Sequence, residues 1–345
     1  MVSAVRGWRV VLPLALLGLA AWAAVRAAAA GASITSALSL VAELSWAQVV
    51  GLAGIWALGL CAHATVLSAA LPGLSRRRAL TLNLTGSAVA SVLPLGGLAG
   101  AALNLTMTRS WGHSRLDFAR FLVVSKSCDI VAKLFMPTVA LAALMATGRL
   151  TPAIGGAWAV PAGVALAAGA LLLWALCGRA TPLLRLVEAA SAVYSRATRR
   201  SVSWTAAVAA LLAGTDHLVR RRGATLALGT AGYWLAQSTL LWCCLLAVGE
   251  RPLPPVVFAG LVAERVMTLM VITPGGAGPA EAGMVAVLIA LGADPTGALA
   301  GVLLYRAFVF VAGVPIGATL GVGWWAARRA RVRRNPELLS HEPVA

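Results

Sequence analysis

Apolar residues in this chain come in long unbroken runs, separated by short stretches rich in arginine. Runs at 8–30, 46–71, 118–147, 153–177, 224–249 and 296–326 are each long enough to cross a hydrocarbon core of about 30 Å as a helix. They predict about six full transmembrane helices. Two more apolar stretches, 79–108 and 253–292, are interrupted in the middle. A third, 202–214, is too short to cross and reads as interfacial. The pattern predicts an all-α polytopic membrane protein.

The interruptions are Pro94-Leu95-Gly96-Gly97-Leu98-Ala99-Gly100 and Thr273-Pro274-Gly275-Gly276-Ala277-Gly278-Pro279-Ala280-Glu281. Proline and glycine break an ordinary helix, and broken backbone is tolerated at membrane depth only where protein buries it or a cavity is lined. Charge fixes how these stretches run. If both cross fully, the arginine-rich segment 178–222 falls outside. If both are re-entrant hairpins, the basic clusters Arg76–Arg78, 178–222 and the tail all fall on the cytoplasmic side, as the positive-inside rule requires. The first hairpin then enters from inside and the second from outside. A shift of 180 residues places Pro94 on Pro274, Gly96 on Gly276, Gly112 on Gly292 and Lys126 on Arg306. An inverted-topology repeat follows, an architecture of secondary transporters. The predicted divisions are a first helix within 1–40, a first half 41–177, a basic linker 178–223, a second half 224–327 and a basic tail 328–345.

Composition agrees. The chain has 345 residues, 60% of them hydrophobic and only 11% charged, where soluble domains carry about 25%. Net charge is +17, but it sits in loops and tail, with no soluble face to bind nucleic acid. Cys61, Cys128, Cys177, Cys243 and Cys244 lie in apolar segments without metal-type spacing and read as small buried hydrophobes. Trp8, Trp46, Trp111, Trp324 and Trp325, near span ends, read as interfacial anchors.

Charges inside spans are costly and therefore informative. The chain's two lysines, Lys126 and Lys133, share a helical face with Asp129. Either Asp129 bridges both in a structural cluster, or one lysine faces a polar cavity and an anionic headgroup. Arg306, beside Tyr305, supplies the corresponding charge in the second half, and its guanidinium fork suits phosphate. Glu281 complements the start of a half-helix, or acts as a gate or proton acceptor that pairs with Arg306 or Lys126 when substrate is absent. Glu264 and Arg265 pair locally or with Arg306. Being neighbours on a helix, they point about 100° apart, so one of them is expected to face the site. His63 reads as a hydrogen-bonded structural residue.

Pro274-Gly275-Gly276-x-Gly278-x-x-Glu281, followed by Ala298-x-x-x-Val302-Leu303-Leu304-Tyr305-Arg306, resembles the C-terminal signature of the lysylphosphatidylglycerol synthase transmembrane-region family, and so does Glu264-Arg265. The resemblance extends over roughly residues 40–330. It implies re-entrant hairpins and movement of anionic, aminoacylated or polyprenyl-linked lipids between leaflets. It carries over Glu281, Tyr305, Arg306, Glu264 and Arg265 as functional positions. The first half departs from the family pattern: Leu95 replaces a glycine, Asn104 stands near an expected arginine, and Ser125-Lys126 replaces Asp-Arg. No soluble aminoacyl-transferase domain is expected, nor lysyl transfer to lipid.

The function expected is a flippase-like lipid transporter of a bacterial plasma membrane, with cytoplasmic termini and a central cationic site. The substrate site draws on Lys126, Arg306, Tyr305, Glu281, Asp129, Lys133, Glu264 and Arg265. The hairpins break at Pro94, Gly96, Gly97, Pro274, Gly275, Gly276 and Gly278. No cofactor, metal or nucleic-acid partner is expected. The partners are membrane lipids, with room for a homo-oligomer or a membrane synthase. An intramembrane lipid-modifying transferase and a scaffold subunit remain as alternatives.

Overall fold

The computed structural model describes residues 31, 33–93, 96–150, 152–176, several between 184 and 195, 205–268 and 277–334. Among them, the organised structure is helical: α1 Ile34–Ala42, α2 Trp46–Ala70, α3 Arg76–Val92, α4 Gly96–Ser110, α5 Arg115–Ala146, α6 Pro152–Leu176, α7 Thr205–Ala247, α8 Pro254–Thr268, α9 Pro279–Ala290, α10 Pro295–Arg306 and α11 Gly313–Arg334, with a π-helical stretch Ala307–Ala312 joining the last two. The predicted first span, 8–30, lies outside the described residues.

Local sequence sets the helix starts. Ser45 and Ser114 cap α2 and α5 with reciprocal bonds to Gln48 and Asp117, while Ser75 caps α3. Asp294 accepts from the amides of Thr296 and Gly297 at the head of α10, where Pro295 occupies the first turn. Among the described residues, three helical stretches are long and apolar enough to cross a membrane: Trp46–Ala70, Arg115–Ala146 and Pro295–Ala330. The expected interfacial stretch 202–214 differs. From Thr205 it is continuous with the next span as one 43-residue helix, about 64 Å long at 1.5 Å per residue. Arg220, Arg221 and Arg222 are good helix formers, and no proline separates them from the apolar run that follows.

Contacts at two ends orient the bundle. At one end, Arg78 lies 5.4 Å from the Trp111 ring, and Trp324 Nε1 donates to Ser110 Oγ at 3.1 Å. Arg222 donates to the Ser68 carbonyl there. So α3 begins and α4 ends at this basic end. At the other end, the Asp294 amide donates to Glu250 Oε2 and Arg149 lies against Gly292. There α8 begins and α9 ends. The two helical hairpins, α3–α4 and α8–α9, therefore open to opposite ends of the bundle.

The packing is reciprocal. The first arm α3 packs on α11, and the first arm α8 packs on α5, so each hairpin leans on the long helix of the other half, while α2 packs against α7. Close approach needs small residues. A Cβ at Gly317 of α11 would meet the Leu84 backbone, and one at Gly321 would lie 2.9 Å from Thr85 Cγ2. Gly96 and Gly97 are the first two residues of α4 rather than part of the break itself, which follows Val92. Gly96 and Gly100 let α4 lie against Ala90 and Gly86 of α3, where a side chain would clash.

Candidate functional site

Helix lengths bring the charged residues of the second half to one depth. From their common end, α8 rises about 15 Å to Glu264 and α10 about 17 Å to Arg306, while α9, followed back from its last residue, rises about 14 Å to Glu281. Three separately positioned helices thus deliver these side chains near the middle of the bundle.

They form one buried network. Arg306 donates from Nη1 to Glu264 Oε1 at 3.1 Å and from Nε to Glu281 Oε1. Glu264 Oε2 lies 2.9 Å from Arg265 Nη2 and accepts from the Tyr305 hydroxyl at 3.3 Å. Arg265 Nη2 and Gln237 Nε2 both donate to Tyr305 Oη, at 3.1 and 3.4 Å. Glu264 and Tyr305 have no exposed surface. Glu281 keeps about a fifth of its side chain accessible, and its Oε2 accepts from the Gly278 amide at 2.7 Å. Gly278 has φ +91°, which glycine adopts without strain. Arg265 stacks on Trp234 at 4.8 Å and Arg306 on Phe310 at 5.2 Å.

This geometry alters one expectation. Glu264 and Arg265 both face the site, because a long side chain carries the Arg265 guanidinium round to Tyr305 despite the turn at Cβ. Arg306 pairs with Glu281, a partner expected for it when substrate is absent, and also with Glu264. Among the described residues, two guanidiniums of this cluster face two carboxylates.

The first half is arranged otherwise. Asp129 pairs with Lys133 at 2.8 Å and does not bridge to Lys126. Lys126 is exposed and has no carboxylate within ion-pair distance among the described residues. It lines a cavity of about 170 Å³ with His63, Asn83, Ser87 and Asn104. A second cavity, of about 100 Å³, reaches from Asn83 and Ser87 to Tyr233, Gln237 and Phe310. Asn83 and Ser87 line both, so polar side chains run from Lys126 to the Tyr305 network. The His63 ring packs 4.7 Å from that of Tyr233, between the two halves. Pro94, Pro274, Gly275 and Gly276 lie outside the described residues.

Sequence reasoning missed Tyr233, Trp234 and Gln237, which hold Arg265 and Tyr305. The signal was an amide and two large aromatics in the middle of an apolar run. It also missed the π-helical stretch directly after Arg306, a distortion that concentrates at functional sites.

A search of curated proteins gives no match. Residues 10–317 match the family model described as the lysylphosphatidylglycerol synthase TM region, and the match takes in both hairpins and every residue of the buried network. The chain belongs to the lysylphosphatidylglycerol synthase transmembrane-region family.

Proposed function

We propose that this chain moves a lipid with an anionic or aminoacylated phosphate headgroup, or a polyprenyl-linked one, between leaflets. The reading takes α3–α4 and α8–α9 as re-entrant hairpins of an inverted repeat, within a bundle of about six full spans. The basic end, with Arg76–Arg78, Arg220–Arg222 and Arg328–Arg329, is then cytoplasmic. The single observation that carries the reading is the Arg306–Glu281 pair, set at mid-depth between hairpins that open to opposite ends. Broken helices meeting at such a depth are where transporters hold substrate.

In this account the present state is the closed, substrate-free one. The two cavities, of about 100 and 170 Å³, are smaller than ordinary ligand pockets of roughly 300–1,000 Å³. A phosphate entering beside Lys126 competes with Glu281 for Arg306. Glu281 is the exchangeable partner because it retains exposure and a second bond at Gly278, whereas Glu264 is sealed in. Exchanging one anion for another leaves no guanidinium buried and unpaired, which would cost several kcal/mol.

The test is translocation of fluorescent anionic, aminoacylated and polyprenyl-phosphate lipids in liposomes holding purified protein. The expected result is movement of one class by the native chain and its loss in Arg306→Ala. Undiminished movement in Arg306→Ala would remove the site from the account. Chemical conversion of the lipid without movement would favour a transferase.

A further inference from the structure

Hydroxyl side chains on a helix can close back onto the preceding turn. In the first half, Thr81 donates to the Arg77 carbonyl at 3.0 Å, Thr108 to that of Asn104 at 2.9 Å and Ser125 to that of Phe121 at 2.7 Å. Three polar side chains of α3 differ. Asn83, Ser87 and Ser91 follow one face of the helix at four-residue spacing. Among the described residues, none of the three has a side-chain hydrogen bond. The stripe begins about 10 Å along α3 from Arg76 and ends at about 22 Å.

The stripe faces cavities lined by further polar groups. All three residues line the cavity that reaches Gln237, where Trp56, Tyr233 and Phe310 supply ring surface. Asn83 and Ser87 also line the cavity beside Lys126, together with Asn104 of α4. Gly86 makes room for that amide: a Cβ there would lie 2.5 Å from Asn104 Nδ2. Asn104 Oδ1 is nonetheless buried without a partner. Buried polar atoms are nearly always bonded, so the set fits a ligand that both donates and accepts. Among the described residues, no carboxylate lines either cavity. An ammonium group would meet Lys126 there with no opposing charge. Amides and hydroxyls beside ring faces, with a cation at one end, complement a sugar that carries a phosphate.

We propose that the headgroup bound between the two halves is a glycosyl phosphate, with its phosphate beside Lys126, its sugar hydroxyls on Asn83, Ser87 and Ser91, and its ring against Trp56 and Tyr233. This occupant rests on the lipid-moving reading and narrows it: a lipid-linked sugar phosphate is taken over a bare phosphate or an aminoacylated headgroup. Amide and hydroxyl side chains each supply donors and acceptors, as sugar hydroxyls do. A few placed polar groups among aromatic and apolar walls set orientation and specificity in ligand sites. The ammonium of an aminoacylated headgroup would instead add a second cation beside Lys126.

The experiment is calorimetric binding of four farnesyl phosphodiesters (methyl, hexosyl, glyceryl and 2-aminoethyl) to the purified full chain in detergent. They share one anchor and one phosphodiester, so differences report the group beyond the phosphate. The hexosyl ester is expected to bind about tenfold more tightly than the methyl and aminoethyl esters, the worth of one or two neutral hydrogen bonds. Ser87→Ala with Ser91→Ala should bring it down to the level of the methyl ester. Equal binding of the hexosyl and methyl esters would assign the polar lining to water and overturn the proposal, as would a sugar preference kept by the double variant. A glyceryl or aminoethyl ester that binds as tightly as the hexosyl one equally overturns it. The order of the four esters in the native chain decides the matter even if the double variant does not fold. Translocation of the same lipids in liposomes separates the sugar site from the transport reading. Preferential hexosyl binding without movement would overturn transport alone, whereas movement indifferent to the sugar would overturn the sugar site alone.

Discussion

Arg306 Nη1 lies 3.1 Å from Glu264 Oε1, and Glu264 has no exposed surface. A carboxylate so placed is tolerated only with its partners, here Arg306, Arg265 and the Tyr305 hydroxyl. Glu264→Ala would leave Arg265 buried with, among the described residues, Tyr305 and the Trp234 ring. The expected destabilisation is about 3–5 kcal/mol, read as lowered thermal unfolding in detergent. Glu281→Gln, whose side chain is partly accessible, should cost far less, about 1 kcal/mol.

Tyr305→Phe separates packing from hydrogen bonding. The ring still fills the core, but Arg265, Gln237 and Glu264 lose their common partner. A loss of about 1–3 kcal/mol is expected from the buried groups left unsatisfied. A Tyr305→Phe chain as stable as the native one would mean that water or another side chain takes the place of the hydroxyl.

Lys126 is the opposite case. It is exposed and unpaired among the described residues, so Lys126→Gln should change stability by no more than about 0.5 kcal/mol. If the cavity it lines is the entry for the headgroup, translocation should nevertheless fall by about tenfold or more, the worth of one charge-assisted bond. Normal transport by Lys126→Gln would move the entry elsewhere.

Gly317→Leu tests the cross-packing of the halves. Its side chain would meet the Leu84 backbone and drive α11 away from α3. Overpacking of this kind costs typically about 1–3 kcal/mol. A neighbouring control, Gly323→Leu, faces open space and should be tolerated.

Much of this was legible in the sequence because hydrocarbon is a strict solvent. Apolar runs had to be helices, and the run ending at Val92 had to break where it did. Arg306, Glu281 and Glu264 stood out as charges in apolar surroundings. Their pairing was among the alternatives the sequence offered, but not that Arg306 holds both carboxylates at once, since that depends on three helices reaching the same depth from one end. The continuity of α7 through Arg220–Arg222 was hidden because charge marks the edge of a membrane, not the end of a helix. Gln237 and Trp234 were hidden because a single polar or aromatic residue in a span has no spacing pattern to betray its partner.

The central claim is that Glu281 and an anionic headgroup compete for Arg306. The most direct measurement is binding of a short-chain phosphatidylglycerol to the purified chain by calorimetry, native against Glu281→Gln. Removing the competing charge should tighten binding by about tenfold or more, and Arg306→Gln should abolish the difference. Binding that is unchanged or weaker in Glu281→Gln would contradict the account.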